Sequence, residues 1–350
     1  MIGGESMNAV HQKIVDTVLK KAERECPGAL DLVGIYGSVC TGDVHEHSDL
    51  DLLILINDPK GYVLSKTFIL EDEGIGYDVY CTSWEMLEDD ANCRHAHISK
   101  LMDSEVVYVR DESVTERLEG LKNKAREVLG SEKRFEVIAD IREELCKLYG
   151  RAFVAETIGQ LRGWAAYMIT LSLDAVMLWN GTYFKRGVKR TFEELEELDV
   201  PDDFEKNIMR IVQAKNYIEL GIALGTLFKS VMRFTERRTR KDVPTREKLA
   251  GTYEEMFSNW RNKMPEAAEQ GDAFASFMNL ASLQYMLEDI SAENAIARFS
   301  VLEEFDANDL AKNAKIFDDA LEDYRREYVK LGMEPVRYAG VDAFVKDYLG

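Results

Sequence analysis

Five histidines, five cysteines and a shortage of positive charge set the first limits on this 350-residue chain. All five histidines lie at or before His97, so the later part cannot be a histidine-dependent nuclease joined in cis. The cysteines, Cys26, Cys40, Cys81, Cys93 and Cys146, are odd in number and form no C-x-x-C pair. That argues against a disulfide framework and against a zinc site, and for reduced thiols in the cytoplasm. No apolar run is long enough to span a bilayer; Leu161–Trp179 comes nearest, and Arg162, Gly163 and Asp174 interrupt it. The opening MIGGESMNAV lacks the basic segment and apolar core of a secretion signal, and the residues before Met7 read as a leader.

Lysine and arginine number 44 against 64 acids, a net charge of −20. Such a surface repels a polyanion, because affinity for nucleic acid comes largely from basic side chains displacing counterions. A small cationic partner is attracted instead. One stretch runs against the average: Lys229 to Lys248 holds Lys229, Arg233, Arg237, Arg238, Arg240, Lys241, Arg246 and Lys248, eight basic residues against three acids. It reads as a solvated basic connector or as a loop facing a phosphate or a partner.

The most specific pattern is GSVCTGDVHEHSDLDL. Gly37-Ser38 follows the apolar run Leu30–Tyr36, and after ten intervening residues Asp49-Leu50-Asp51 leads into Leu52–Ile56. The pattern predicts strands Leu30–Tyr36 and Asp49–Ile56 joined by the motif, with Asp49 and Asp51 on one face because side chains on a strand repeat every second residue. Two converging carboxylates call for a cation between them, and hard oxygen ligands suit Mg²⁺ that also holds substrate phosphates. The small Gly37-Ser38 turn lets backbone and hydroxyl donors approach a phosphate.

These residues resemble the signature of the polymerase-β-type nucleotidyltransferase superfamily: a Gly-Ser turn, a spacer and an Asp-x-Asp strand. Gly42 and Ser48 fall where small bacterial and archaeal members carry a glycine and a serine. Those members commonly have an arginine near Gly42, whereas this chain has Cys40-Thr41, so a phosphate contact supplied locally in relatives comes from elsewhere here. The resemblance covers roughly residues 8 to 130. It implies a third carboxylate on a neighbouring strand, and Asp78, in the alternating stretch Ile75–Tyr80 and 27 residues after Asp51, fills that place.

The expected fold class is therefore α+β, a small mixed-sheet nucleotidyltransferase domain over residues 1–130 followed by an all-helical substrate-binding domain over 131–350. In the first part the periodicity predicts helix Ala9–Glu25, strand Ile75–Cys81, helix Ser83–Met102 capped by Ser83 and carrying His95 and His97, and strand Glu105–Arg110. In the second it predicts a buried helix over Arg151–Trp179, apolar nearly all round toward its end, in which Glu156, Arg162, Tyr167 and Asp174 are the polar exceptions. Tyr167 and Asp174, seven apart, share a face. Helices over Ala273–Ser291 and Leu310–Leu331 follow, with little that points to chemistry.

This layout is similar to the aminoglycoside nucleotidyltransferases of kanamycin type, in which a helical domain completes the acceptor pocket and a carboxylate acts as general base. A base desolvated at the domain interface has its pKa raised toward neutrality, and Glu156 and Asp174 are the candidates. Lys185 and Lys189, in the loop after Trp179, are candidates for meeting the triphosphate. The resemblance implies Mg²⁺ and ATP or another NTP: Asp49, Asp51 and Asp78 as metal ligands, Gly37, Ser38 and Ser48 around the phosphates, and an acceptor hydroxyl attacking the α-phosphorus as pyrophosphate leaves. Two other readings stay open, a protein adenylyltransferase of the minimal antitoxin type and a non-catalytic nucleotide-binding regulator. Three intact carboxylates weigh against the latter.

Overall fold

The computed structural model describes residues 9–44, 48–72, 74–236 and 242–350. His45 and His47 of the spacer, Arg237, Arg238, Arg240 and Lys241 of the basic stretch, and the residues before Met7 lie outside the described residues. The chain divides into two compact units, Met1–Arg237 and Arg238–Gly350.

The first unit opens with helix α1 (Ala9–Glu25) and strand β1 (Leu30–Tyr36), both at the bounds the periodicity gives. The short turn of helix α2 (Ser38–Thr41) separates β1 from β2 (Asp51–Ile56). A hairpin, β3 (Lys66–Leu70) and β4 (Ile75–Val79), precedes the three-residue β5 (Cys81–Ser83), and β6 (Glu105–Val109) completes the strands. The main sheet runs β5-β2-β1-β6, with β1 antiparallel to β2 and β6 and with β2 parallel to β5; β3 and β4 pair with each other.

Strand alternation gives the sheet two apolar faces. Val33, Ile35, Leu52, Ile54 and Ile56 pack with Val15 and Val18 of α1 and with Tyr77 of the hairpin. Leu32, Leu53 and Leu55 face the other way, into a core shared with the helices that follow. Those helices are α3 (Trp84–Ala91), α4 (Ser99–Met102), α5 (Glu112–Gly130), α6 (Lys133–Phe153), α7 (Ile158–Trp179), α8 (Thr191–Leu195), α9 (Phe204–Gln213) and α10 (Tyr217–Phe234). One cluster runs from Leu32 through Leu118, Leu145 and Met168 to Leu224 and Val231. The packing of this unit therefore continues across residue 130.

Several expected elements differ. Strand β2 begins at Asp51, because its ladder partner Tyr36 is the last residue of β1, so Asp49 lies in the loop before the strand. The helix expected over Ser83–Met102 stops at Ala91: Cys93 is fully buried with φ 54°, a left-handed backbone, and His95 and His97 sit in the loop that follows. Its cap is as read, since Ser83 Oγ accepts from Met86 N at 3.3 Å. The long helix over Arg151–Trp179 is two, split at residues 154–157, where Thr157 Oγ1 accepts from Gln160 N at 3.2 Å and starts α7 afresh. Within α7, Asp174 to Leu178 are all buried, as the all-round apolar pattern predicts. Tyr167, on the same stripe as Asp174, is 65% exposed.

The second unit is helical: α11 (Arg246–Leu249), α12 (Thr252–Met256), a π-helical turn Phe257–Arg261, α13 (Lys263–Gln270), α14 (Ala273–Glu293), α15 (Leu310–Lys330) and α16 (Val341–Leu349). Its core centres on Phe317, Tyr324 and Tyr328. The two buried phenols are satisfied locally, Tyr324 by Thr252 Oγ1 at 2.7 Å and Tyr328 by the backbone N–H of Tyr253 at 3.0 Å. Among the described residues no helix is long and apolar enough to cross a membrane.

Candidate active site

The centre of the site is the turn that joins β1 to α2. Gly37 adopts φ 71° and ψ −147°, a conformation costly for any residue with a side chain. A Cβ there would lie 2.0 Å from Asp51 Oδ2, so the turn folds directly against that carboxylate. Tyr36 and Asp51 are ladder partners, which fixes the approach. The backbone of Gly37 then accepts from the N–H groups of Cys40 and Thr41, both at 3.1 Å, and Gly42, at φ 75°, ends the helical turn.

Electrostatics mark the same spot. Burial, reinforced by the neighbouring charge of Asp49, pushes the Asp51 carboxyl up to about 6. Half-buried Tyr36 is pushed up to about 12, first by burial and then by Asp51, Asp90, Asp49 and Asp78. Carboxylates from the spacer, from β2, from α3 and from the hairpin therefore all bear on one phenol, which stays protonated and can only donate to them.

Asp78 lies on this side of the sheet but in a separate ladder. It is exposed, paired with Thr67 across the hairpin, and accepts from Thr67 Oγ1 at 3.0 Å. Strands β2 and β5 pair from Ile54 opposite Cys81 to Ile56 opposite Ser83, and this pairing does not extend back to Asp78. Tyr80 belongs to neither strand, so the expected continuous strand Ile75–Cys81 is two strands in two sheets. Among the described residues, no group of three or more His, Cys, Asp or Glu is drawn together as a ready metal cluster. Asp49 and Asp51 interact, and Asp78 stands apart with Thr67. Ser38 and Ser48 are half-buried beside the turn and the Asp-x-Asp segment.

The loop after α7 reaches this region. Phe184 N donates to Ala96 O at 2.8 Å, its ring stacks on His97 with centroids 5.0 Å apart, and Tyr183 donates to Asp103 Oδ1 at 2.7 Å. Farther along, Arg186 Nε and Arg190 Nε lie 3.5 and 3.1 Å from the two oxygens of Asp43 in the spacer. The neighbouring lysines do not share this contact: Lys185 extends over the Tyr183 ring at 5.8 Å, and Lys189 is exposed.

The two candidate bases are separated. Asp174 is 2% exposed, and its Oδ1 accepts from Ala96 N at 2.8 Å with His97 Nε2 at 3.8 Å. Burial raises its pKa, against the opposing pull of the Ala96 N–H and the two histidines. Glu156 is exposed in the break before α7, the opposite end of a 22-residue helix about 33 Å long. A cavity of about 670 Å³ lined by Tyr149, Phe153, Leu161, Tyr217, Ile222 and Lys229 contains none of the motif residues.

Reading the sequence alone leaves out Tyr36, Asp43, Asp90, Arg186 and Arg190. Asp43 was signalled by its place after Gly42, and the arginines by the basic cluster ending the Asn180–Arg190 loop. Asp90 has no local signal, because only folding brings α3 to the end of β1.

Residues 15–151 match the model of a family described as the nucleotidyltransferase domain. That span contains the Gly37 turn, Asp49, Asp51 and Asp78. No curated protein matches the chain in sequence. Among solved structures it is similar to a nucleotidyltransferase-like protein from Exiguobacterium sibiricum 255-15, with 13% identity and a TM-score of 0.33 over 74% of this chain and 92% of that one. Residues 15–151 thus match a nucleotidyltransferase domain, and the enzyme reading rests on that span.

Proposed function

We propose that this enzyme moves a nucleoside monophosphate, AMP from ATP, onto a hydroxyl of a small cationic acceptor such as an amino sugar, with a divalent cation held by Asp49 and Asp51. The observation that carries the reading is the fit of Gly37 against Asp51. A carboxylate pressed into a side-chain-free turn, with its pKa raised by burial and by a second carboxylate, is a poorly compensated anion that a hard cation relieves. The oxygen-only donor set suits Mg²⁺. Asp49 and Asp51 would hold it, with Asp78 as the third candidate. When bound, the cation would neutralise charge on the triphosphate and lower the pKa of the acceptor hydroxyl.

The chain's own residues supply the rest of the reading. Gly37 keeps the turn small enough for phosphate oxygens to reach the Ser38 hydroxyl and nearby backbone N–H groups. Tyr36, kept protonated by burial and by the surrounding carboxylates, adds no further negative charge there. Asp174, closed off from solvent and bonded to Ala96, positions the 93–98 loop on which Phe184 packs; the reading therefore gives it a positioning role in place of the general base. Exposed Glu156 has no part in it. A cationic acceptor is favoured by acids beside the motif: Cys40 is pushed up by burial and by Glu105, Asp103 and Asp51. The five free thiols suit a reducing cytoplasm.

The test is pyrophosphate release from Mg-ATP, measured with and without a panel of amino sugars and with neutral sugars of equal size. Release that depends on a cationic acceptor supports the reading. Release driven equally by the neutral sugars would remove the cationic acceptor from it.

A further inference from the structure

Asp43, Arg186, Arg190 and Glu193 form a closed charge network between the motif spacer and the loop after α7. Asp43 is anchored on the turn itself: its backbone N–H donates to Ser38 O at 3.1 Å, and its Oδ2 accepts from Thr41 Oγ1 at 3.1 Å. Its two oxygens face Arg186 Nε at 3.5 Å and Arg190 Nε at 3.1 Å. Glu193 takes the Nη1 atoms of the same arginines, Arg186 at 3.4 Å and Arg190 at 2.6 Å. The loop's backbone is tied as well, because Glu194 accepts from the N–H groups of Lys185 at 2.9 Å and Arg186 at 2.8 Å.

Two features of this network point outward. The ion pairs engage Nε and Nη1 of each guanidinium, which leaves both Nη2 groups for another acceptor among the described residues. The side chains are also 39% and 37% exposed, so a ligand on the turn can reach them. The surroundings are otherwise acidic, with Asp49, Asp51, Asp78 and Asp90 all bearing on Tyr36. A triphosphate carrying several negative charges needs cations here, and Val39, Cys40 and Thr41 supply none.

We infer that Arg186 and Arg190 bind the β- and γ-phosphates of the nucleotide, and that Asp43 and Glu193 hold the two guanidiniums in place for them. The inference rests on the nucleotidyl-transfer reading above and replaces Lys185, which extends over Tyr183, and Lys189, which is exposed. Arginine's planar fork suits the task, since a pre-aimed guanidinium gives paired hydrogen bonds to a phosphate at small entropic cost.

The alternative is a clasp that merely fastens the loop to the turn, and the experiment separates the two. Calorimetric affinities for Mg-ATP and for AMP are measured on the parent, on Arg186→Gln, Arg190→Gln and their double variant, and on Asp43→Asn, with melting curves confirming that each is folded. Phosphate contact predicts Mg-ATP affinity falling about tenfold for each arginine and about a hundredfold for the pair. AMP affinity should stay within about twofold, and Asp43→Asn should lose at most about threefold for Mg-ATP. Unchanged Mg-ATP affinity in the double variant overturns the inference, as does a loss in Asp43→Asn equal to that of the double variant, which is what a clasp gives. A parent that does not bind Mg-ATP overturns the AMP-from-ATP reading itself, and this inference with it.

Discussion

Gly37 and Asp51 occupy each other's space: the position a Cβ would take at Gly37 lies 2.0 Å from Asp51 Oδ2. The contact joins the Gly37 turn to strand β2 through a single missing side chain. It makes the turn's geometry and the carboxylate's position one property.

Gly37→Ala should therefore damage both. The positive φ and the displaced carboxylate together cost about 1–3 kcal/mol of stability, and turnover should fall by about a hundredfold or more as Asp51 moves. Denaturant melts and pyrophosphate release measure the two effects on the same preparation. Full turnover in a destabilised variant would separate them.

Asp51 should also leave a pH signature. Its folded pKa is about 6 against an ordinary value of 3.8, so its favourable contribution to stability is complete below about pH 4 and lost as the pH rises through 6. Asp51→Asn removes a strained anion, and the metal-free variant should melt higher than the parent at pH 8 and level with it at pH 4. Differential scanning calorimetry at the two pH values checks the sign.

The same shift governs the metal. Protons compete with a cation for Asp51 below about pH 6, so the rise in melting temperature on adding Mg²⁺ should be larger at pH 8 than at pH 5. An equal rise at both would place the ion elsewhere.

Asp174 offers a test that separates positioning from proton transfer. An asparagine oxygen can still accept from Ala96 N, so Asp174→Asn should keep turnover within about threefold while Asp174→Ala loses most of it. A general base would lose activity equally in both variants.

Away from the site, Asp31 is a buried carboxylate that ties the start of β1 to the rest of the first unit. It accepts from Trp84 Nε1 at 2.7 Å and from Asn57, and pairs with Arg110 at 2.6 Å. Asp31→Ala strands those donors and should cost about 3–5 kcal/mol, read from urea unfolding.

Much of this was legible where the chemistry is local. The run Leu30–Tyr36 is largely apolar and is followed by Gly37, and Ala9–Glu25 ends at Cys26-Pro27-Gly28, so both elements appear at their expected bounds. The motif singles out Gly37, Ser38, Asp49 and Asp51, and the structure sets Gly37 against Asp51 with Asp49 beside it. The misses share a cause, which is that distant partners decided local structure. The helix beyond Ala91 is lost because the N–H of Ala96 goes to Asp174, 78 residues later, and Cys93 turns left-handed to let it. The break at residues 154–157 has no glycine or proline to announce it; its signal was Thr157 with Gln160 three residues on. Asp49 falls outside the strand because β1 ends at Tyr36 and offers no further ladder. Arg186 and Arg190 were visible only as charge, since what selects them over Lys185 and Lys189 is the position of Asp43, 143 and 147 residues earlier.

The most direct test of the central claim is Mg²⁺-dependent pyrophosphate release from ATP by the parent and by Asp51→Asn, with folding of both confirmed by circular dichroism. Nucleotidyl transfer through Asp51 predicts acceptor-stimulated release by the parent and a loss of about a thousandfold or more in the variant. Equal rates from the two proteins, or release by the parent that persists unchanged in EDTA, would contradict it.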